Sequence, residues 1–277
     1  MITDHLFFTC INVLLGWSVY VTLLTGNLSF AQGAFMAVGC YAAGWFTVKA
    51  GLPMLPATLI AALIAAAIAV LIGYPALRLR GIYLILATLG LTFCIRVLLE
   101  NLSFVGGIGG FGGMTGGDLP KAALAVVLVG ALLWLVSRSP LQRILDAVRE
   151  DDRVAASLGI NVTAIRLVGF AAGAAIAAVA GMLYGHYMSF VRPENFDVML
   201  SIYAVLYIVL GGVNNLWGAV LGAAIMTLLP EYIRFMADWR PTVFGACVLA
   251  LLLFRPPGLL SFRTVTARAR DRASSGS

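Results

Sequence analysis

Apolar runs recur from one end of this 277-residue chain to the other, each close to the ~20 residues that a helix needs to cross a bilayer core. In lipid every backbone N–H and C=O must find a partner inside the protein, so runs of this length read as membrane-spanning helices. Nine segments can be marked, at about 6–25, 29–48, 54–74, 82–101, 122–136, 163–188, 199–213, 216–233 and 241–254. The seventh is short and ends in "GGVNNLWG", which fits a half-span or a tight helix pair. Charged residues make up 11% of the chain, against roughly 25% in a soluble domain. A water-soluble protein with so much apolar surface would aggregate. The expected fold is an all-α polytopic membrane protein of about nine transmembrane segments.

Lysine and arginine set the orientation, because positive charge is retained on the cytoplasmic side. With the N-terminus outside, Arg78, Arg80, Arg138, Arg143, Arg149, Arg153, Arg166, Arg255, Arg263, Arg268, Arg270 and Arg272 fall inside. Lys49, Lys121, Arg192, Arg234 and Arg240 fall outside, a split of 12 to 5 that favours N-terminus outside and C-terminus inside. The opening "MITDHLFF" has Asp4 and no Lys or Arg before its apolar run, so it reads as a retained helix and not a secretory signal. Residues 1–258 are expected to form the membrane domain. The Arg-rich end, 259–277, is expected to be a disordered cytosolic tail near anionic lipid headgroups. The net charge of +6 is thus explained by topology. No basic patch is interleaved with aromatics, and nucleic acid is not an expected partner.

Eight of the 30 charged residues fall between Arg138 and Arg153. Ser139 followed by Pro140 is a helix start, and Gln142 stands where a capping box needs it. Leu141, Ile144, Leu145 and Val148 form one apolar stripe, while Gln142, Arg143, Asp146, Arg149, Glu150 and Arg153 take the other sides. Gly159 is a plausible stop. The expectation is an amphipathic helix on the cytosolic face over 137–162, broken near Glu150. It is either a solvated connector or a docking surface. A connector could be far shorter, since helix links are commonly 2–8 residues.

The segment "LDAVREDDRVAASLGINVTAIRLVGFAAGAAIAAVAGMLYGHY" resembles the cytosolic loop and following helix of LivM-type permeases of branched-chain amino acid ABC transporters. The resemblance continues through "GNLSFAQGAFMAVGCYAA", "GYPALRLRGIYLILATLGL", "GGIGGFGGMTG", "LGGVNNLWGAVLGAAI" and "LLFRPPGLL", in order along nearly the whole chain. It implies a transport subunit of the bacterial inner membrane. Its partners would be a second homologous permease, two cytosolic ATPase subunits and a periplasmic or extracytoplasmic binding protein. It also implies an ATPase-coupling loop at Arg149, Glu150, Asp151, Ala155, Ala156 and Gly159.

The residues fit that division of labour. The two lysines, in "TVKAG" and "LPKAA", are in no phosphate-binding GxxxxGK[ST] loop. ATP is therefore expected in partner subunits, with no cofactor on this chain. "GGIGGFGG" contains a formal GxGxxG but lies between apolar segments, which suits a flexible extracytoplasmic loop better than a nucleotide site. By resemblance it would face a binding protein. His5 and His186 stand near the ends of apolar segments and read as interfacial. The four cysteines lie in four different runs without CxxC spacing and read as buried small hydrophobes. Metal or catalytic chemistry has no constellation here.

Four polar residues within the apolar runs are candidates for a substrate path. Arg96 has Glu100 four residues on, and this pair is either an anchor or part of the path. Asn27, Ser29 and Gln32 follow Gly26 and either meet a solute at a helix interruption or cap and pack. Gly211, Gly212, Asn214 and Asn215 read as a turn. A permease for urea or short amides is the alternative within the class. A stand-alone secondary transporter or channel is the alternative outside it, but coupling ions usually need acids within spans, and Glu100 and Glu231 both lie near ends.

Overall fold

The structure is a computed structural model that describes residues 2–79, 81–213, 215–232 and 245. Arg80, Asn214, the tail 259–277, the "LLFRPPGLL" stretch and, apart from Gly245, the ninth expected span lie outside the described residues. The described chain is almost entirely helical. Its helices are α1 (Ile2–Leu24), α2 (Gln32–Val48), α3 (Met54–Ala76), α4 (Ile82–Asn101), α5 (Leu119–Arg138), α6 (Pro140–Glu150), α7 (Asp152–Ser157), α8 (Val162–Met188), α9 (Val198–Gly211) and α10 (Leu216–Tyr232). The only strands among the described residues are β1 (Phe111–Gly112) and β2 (Phe190–Val191), two residues each. Among the described residues six helices are long and apolar enough to span: α1, α3, α4, α5, α8, and α9 with the turn before it. Expected segment two is present but shorter, and segment eight is α10 as far as the described residues run. Segment two begins only at Gln32 because the chain before it is unwound.

Small residues decide the packing. In α3 the buried positions are Ala57, Ala61, Ala65, Ala69 and Gly73, one every four residues, while Leu55, Leu59, Leu63 and Leu71 are exposed. Burying the alanines and leaving leucines outside suits a lipid solvent. Hydrocarbon gives no hydrophobic drive between helices, so close backbone approach and dispersion hold them together. Helix α8 is the centre of the bundle, packed on α1, α2 and α3. A Cβ at Gly173 would lie 2.7 Å from the Ser18 carbonyl oxygen, one at Gly181 would strike the Met36 carbonyl, and one at Gly39 would strike the Ala178 backbone. The short seventh segment is a tight pair: Gly211 and Gly218 bring the α9 and α10 backbones into contact. The turn between them is closed by Asn215 N–H donating to the Gly212 carbonyl at 3.3 Å, and Asn215 Oδ1 accepts from Trp217 N–H at 3.1 Å.

The bundle has two distinct ends. At one, Phe7 near the start of α1 stacks on Tyr187 near the end of α8, with ring centroids 3.9 Å apart. There β1 pairs antiparallel with β2, Phe111 opposite Val191 and Gly112 opposite Phe190. The Gly-rich stretch is therefore not the flexible loop expected. It forms two single turns of 3₁₀ helix, Ser103–Val105 and Gly107–Gly109, that lead into β1. At the other end lie α6 and α7. His186 stands in the last turn of α8, near the segment end, and is buried there, with Nε2 3.1 Å from Thr47 Oγ1 and Nδ1 2.9 Å from the Met182 carbonyl. Of the cysteines, Cys40 is buried as expected, Cys10 is half-buried and Cys94 is exposed.

Candidate functional site: a buried break and the helix pair beside it

Helix α1 ends in a glycine stop. Gly26 has φ +79°, its N–H donates to the Leu23 carbonyl at 2.9 Å, and Asn27 N–H reaches back to the Thr22 carbonyl at 3.2 Å. That six-to-one and five-to-two pair of bonds is the Schellman pattern. The chain then runs without helix to Gln32. The side chains of Thr88 and Thr92 place this segment in depth. At 1.5 Å per residue they stand about 9 and 15 Å along α4 from its start, while Gly26, at the other end of the segment, lies against α6, so the segment runs from the α6 end into the bundle.

Unwound backbone at that depth must be covered by protein or line a wet cavity. Here side chains from two other helices cover it. Phe30 N–H donates to Thr88 Oγ1 at 3.1 Å, and Thr92 Oγ1 donates to the Phe30 carbonyl at 3.0 Å. Gly33 N–H donates to Ser201 Oγ of α9 at 2.8 Å, and Ala31 N–H to Ser29 Oγ at 3.2 Å. Asn27, Ser29 and Gln32 are all buried. Of the three, Ser29 is absorbed by the backbone, while Asn27 Nδ2 and Gln32 Oε1 have no hydrogen-bond partner. Thr88, Thr92 and Ser201 were not singled out in the sequence. Single hydroxyls in apolar helices are common, and nothing local marked these three as serving another segment.

Arg96 is not part of this cluster. Its Nε lies 2.9 Å from Glu100 Oε1, as the spacing suggested, and its Nη1 lies 3.6 Å from Asp197 Oδ1 at the start of α9. All three side chains are partly exposed. The group ties α4 to the turn before α9, near the β1–β2 end. Anchoring is the role this geometry supports.

The charged stretch forms two helices meeting at Asp151, as the expected break near Glu150 required. The start at Pro140 is as expected, but the capping box is not formed. Ser139 Oγ donates to the Val136 carbonyl at 2.8 Å, and Gln142 Nε2 donates to Asp146 Oδ1 at 2.9 Å. The cap that does form belongs to α7: Asp151 Oδ1 accepts from Arg153 N–H at 2.9 Å and Val154 N–H at 3.2 Å. Gly159, with φ +82°, ends α7 with its N–H on the Ala156 carbonyl at 3.0 Å. Asn161 then caps α8, accepting from Ala164 N–H at 3.1 Å.

Only part of the apolar stripe is buried. Leu145 and Val148 pack inward, whereas Leu141, Ile144, Val154 and Leu158 are exposed, Leu158 at 72%. Of the candidate docking residues, Glu150, Asp151, Ala156 and Gly159 are exposed, Arg149 is half-buried, and Ala155 is buried on the inner side of α7. The backbone of α6 touches the break directly: a Cβ at Gly26 would lie 3.5 Å from the Arg149 Cα and 3.9 Å from the Val148 carbonyl oxygen. The two regions that the sequence offered separately are thus in contact. Gly26 is the joint, and the long separation in sequence hid it.

Residues 1–255 match the family described as branched-chain amino acid transport system, permease component. The permease protein LivM of the high-affinity branched-chain amino acid transport system of Escherichia coli K12 is 30% identical over 97% of this chain and 72% of its own length. LivM of Salmonella typhimurium LT2 is also 30% identical, over 91% of this chain and 68% of its own. The autoinducer 2 import system permease protein LsrC of Escherichia coli K12 DH10B is 27% identical over 88% of this chain and 75% of its own. No solved structure matches. With its spanning helices, the chain is a multi-pass membrane transport subunit and not an enzyme, and it belongs to the branched-chain amino acid permease family.

Proposed function

We propose that this chain is the permease subunit of an ABC importer for branched-chain or related small amino acids in the bacterial inner membrane. The LivM proteins hold 30% identity over 91–97% of this chain, whereas LsrC reaches 31% over only 47% of it and 27% over 88%, and that wider match supports the substrate class. In this reading the chain has nine spans, with the N-terminus outside and the C-terminus inside, so that α6 and α7 lie in the cytosol and β1–β2 faces the binding protein. A second homologous permease completes the path. Two cytosolic ATPase subunits bind and hydrolyse the ATP, and this chain holds none.

One observation carries the reading: an exposed, charged helix pair with uncovered apolar side chains touches the unwound segment in the membrane at Gly26. A motor that pushes α6 and α7 pushes the break. Exposed Glu150, Asp151, Ala156 and Gly159 form the dock, with Arg149 at its inner edge and Ala155 fixing α7 to the body. Asn27, Ser29 and Gln32 belong to the path, and Arg96 stabilises the outer end of α4.

The test uses Glu150→Lys together with Leu158→Glu. Asp151 is left alone, because removing a helix cap costs ~1 kcal/mol by itself. Both chosen side chains are exposed in the subunit, so folding should change by under about 0.5 kcal/mol for each. The expected outcome is normal membrane abundance, several-fold weaker recovery of the ATPase subunits and at least tenfold slower ATP-driven uptake. Wild-type recovery and uptake would make α6–α7 a plain connector and end the coupling assignment.

A further inference from the structure

We infer that the α1–α2 break is a station for the head group of a zwitterionic solute, with Asn27 and Gln32 as its waiting donor and acceptor. The inference rests on the reading that the chain conducts small amino acids. Four buried side-chain polar atoms among the described residues lack a partner: Asn27 Nδ2, Gln32 Oε1, Gln142 Oε1 and Arg166 Nε. The last two lie at the α6–α8 end of the bundle. The first two stand five positions apart and flank the unwound segment, Asn27 at its start and Gln32 as the first residue of α2, on side chains that are 7% and 2% exposed.

More than nine in ten buried polar groups in native proteins are paired. Leaving one unpaired costs ~1–3 kcal/mol. The break is not loosely built, since Ser29, Thr88, Thr92 and Ser201 spend their hydroxyls on its backbone at 2.8–3.2 Å. Within that satisfied frame one donor and one acceptor are left over. A carboxylate can accept from Asn27 Nδ2, and an ammonium group can donate to Gln32 Oε1.

The start of α2 adds direction. It is the N-terminus of a 17-residue helix whose N-cap, Ala31, offers no side-chain oxygen to the first turn. Ser201 Oγ takes the Gly33 N–H of that turn, and the positive end of the helix dipole, which faces the break, favours the carboxylate. The unwound segment, Asn27 to Ala31, contains no charged residue. Hydrogen bonds and a helix dipole without a fixed counter-charge hold a zwitterion weakly, as conduction requires, because a tightly held solute would not leave.

The experiment uses the complex purified from its host with all partner subunits. The complex is reconstituted in liposomes with its binding protein and assayed for ATP-driven uptake of radiolabelled leucine. Asn27→Leu and Gln32→Met keep the side-chain volume and remove the orphan polar atoms. The expected result is a melting temperature equal to or above wild type, full retention of the ATPase subunits, and leucine uptake reduced at least tenfold in each variant. A lowered melting temperature with a parallel loss of uptake would make the amides structural and overturn the assignment. So would wild-type uptake in both variants. A wild-type complex that moves acetamide but not leucine would overturn the amino-acid reading itself, and the head-group station with it.

Discussion

Helices α8 and α5 are both long, apolar and free of charge through their middles, and the bundle treats them oppositely. Helix α8 is surrounded by α1, α2 and α3, with thirteen buried residues running from Gly169 to His186. Helix α5 buries only Ala122 and Leu133, and Leu124, Leu128, Leu132 and Leu135 stand exposed. Hydropathy cannot separate the two, because both satisfy the bilayer equally well. Side-chain size does. The sequence of α8 reads "GFAAGAAIAAVAG", so its backbone can be approached from several sides. That of α5 reads "LAVVLVGALLWLV", with bulk at nearly every position and a single glycine. In lipid the core belongs to the small residues and the large ones fill the boundary.

The largest effect should come from closing the space at the centre. In Gly181→Ala the new methyl meets the Met36 carbonyl oxygen and the Cys40 backbone nitrogen, neither of which can swing aside. Overpacking a tight core costs 1–3 kcal/mol and sometimes more, and a clash with backbone belongs at the top of that range, about 3 kcal/mol. The expected outcome is a sharp fall in membrane abundance and in the unfolding midpoint of the purified subunit. Wild-type stability would mean that α2 and α8 do not cross this closely, and the contrast with α5 would lose its basis.

The same contrast explains which parts of the molecule could be read beforehand. Apolar runs gave spans to within a few residues at α3 and α4, because lipid leaves a segment few alternatives to helix. The α6–α7 break and the Gly159 stop were legible because their determinants are local: Pro140, the Asp151 cap and a residue that tolerates positive φ. The Ser139 capping box failed for an equally local reason, since its hydroxyl turned back to the Val136 carbonyl. The site was half legible. Asn27, Ser29 and Gln32 stood out as polar residues beside a glycine. The hydroxyls that hold the backbone beside them, Thr88, Thr92 and Ser201, lie between 58 and 168 residues from the Phe30 and Gly33 groups they bond. A periodicity within one segment carries no information about such cross-helix bonds. The burial of His186 in the last turn of α8 was hidden for the same reason, because Thr47 of α2 meets its ring.

An intermediate effect tests a place where α5 is held against α1. A Cβ at Gly130 would lie 2.7 Å from Cη2 of Trp17 on α1. The obstacle here is a side chain, but not a free one, because Trp17 is buried and its Nε1–H donates to the Leu216 carbonyl at 3.0 Å. Gly130→Ala should therefore cost about 1–2 kcal/mol, less than the α8 substitution. Trp17→Phe shortens the ring and gives up the indole hydrogen bond, so the double variant should recover part of the loss at Gly130 relative to Trp17→Phe alone. A double-mutant cycle on the unfolding midpoint reads that coupling directly. Additive effects would place α5 away from α1.

The smallest effect should come from the outer face of α5. Leu128 is 62% exposed, so Leu128→Ala removes a side chain that touches little of this subunit. The change in subunit stability should stay within about 0.5 kcal/mol, as for surface substitutions generally. Buried Leu→Ala changes cost 2–5 kcal/mol, so the measurement has room to decide. A loss of that larger size in the isolated subunit would show that α5 is covered by another part of this chain, and the division between a small-residue centre and a bulky boundary would fail. A loss seen only in the assembled transporter, as weaker recovery of the second permease, would keep the division and add to it. The bare leucine face would then be boundary to this subunit and interface to the pair. Because α5 leads directly through Ser139 into α6, such an interface would lie on the same continuous stretch of chain that meets the motor. The clean readout is therefore the ratio of second-permease recovery to ATPase recovery in the Leu128→Ala complex. An outer-face contact should lower only the first, and a general weakening of the fold should lower both.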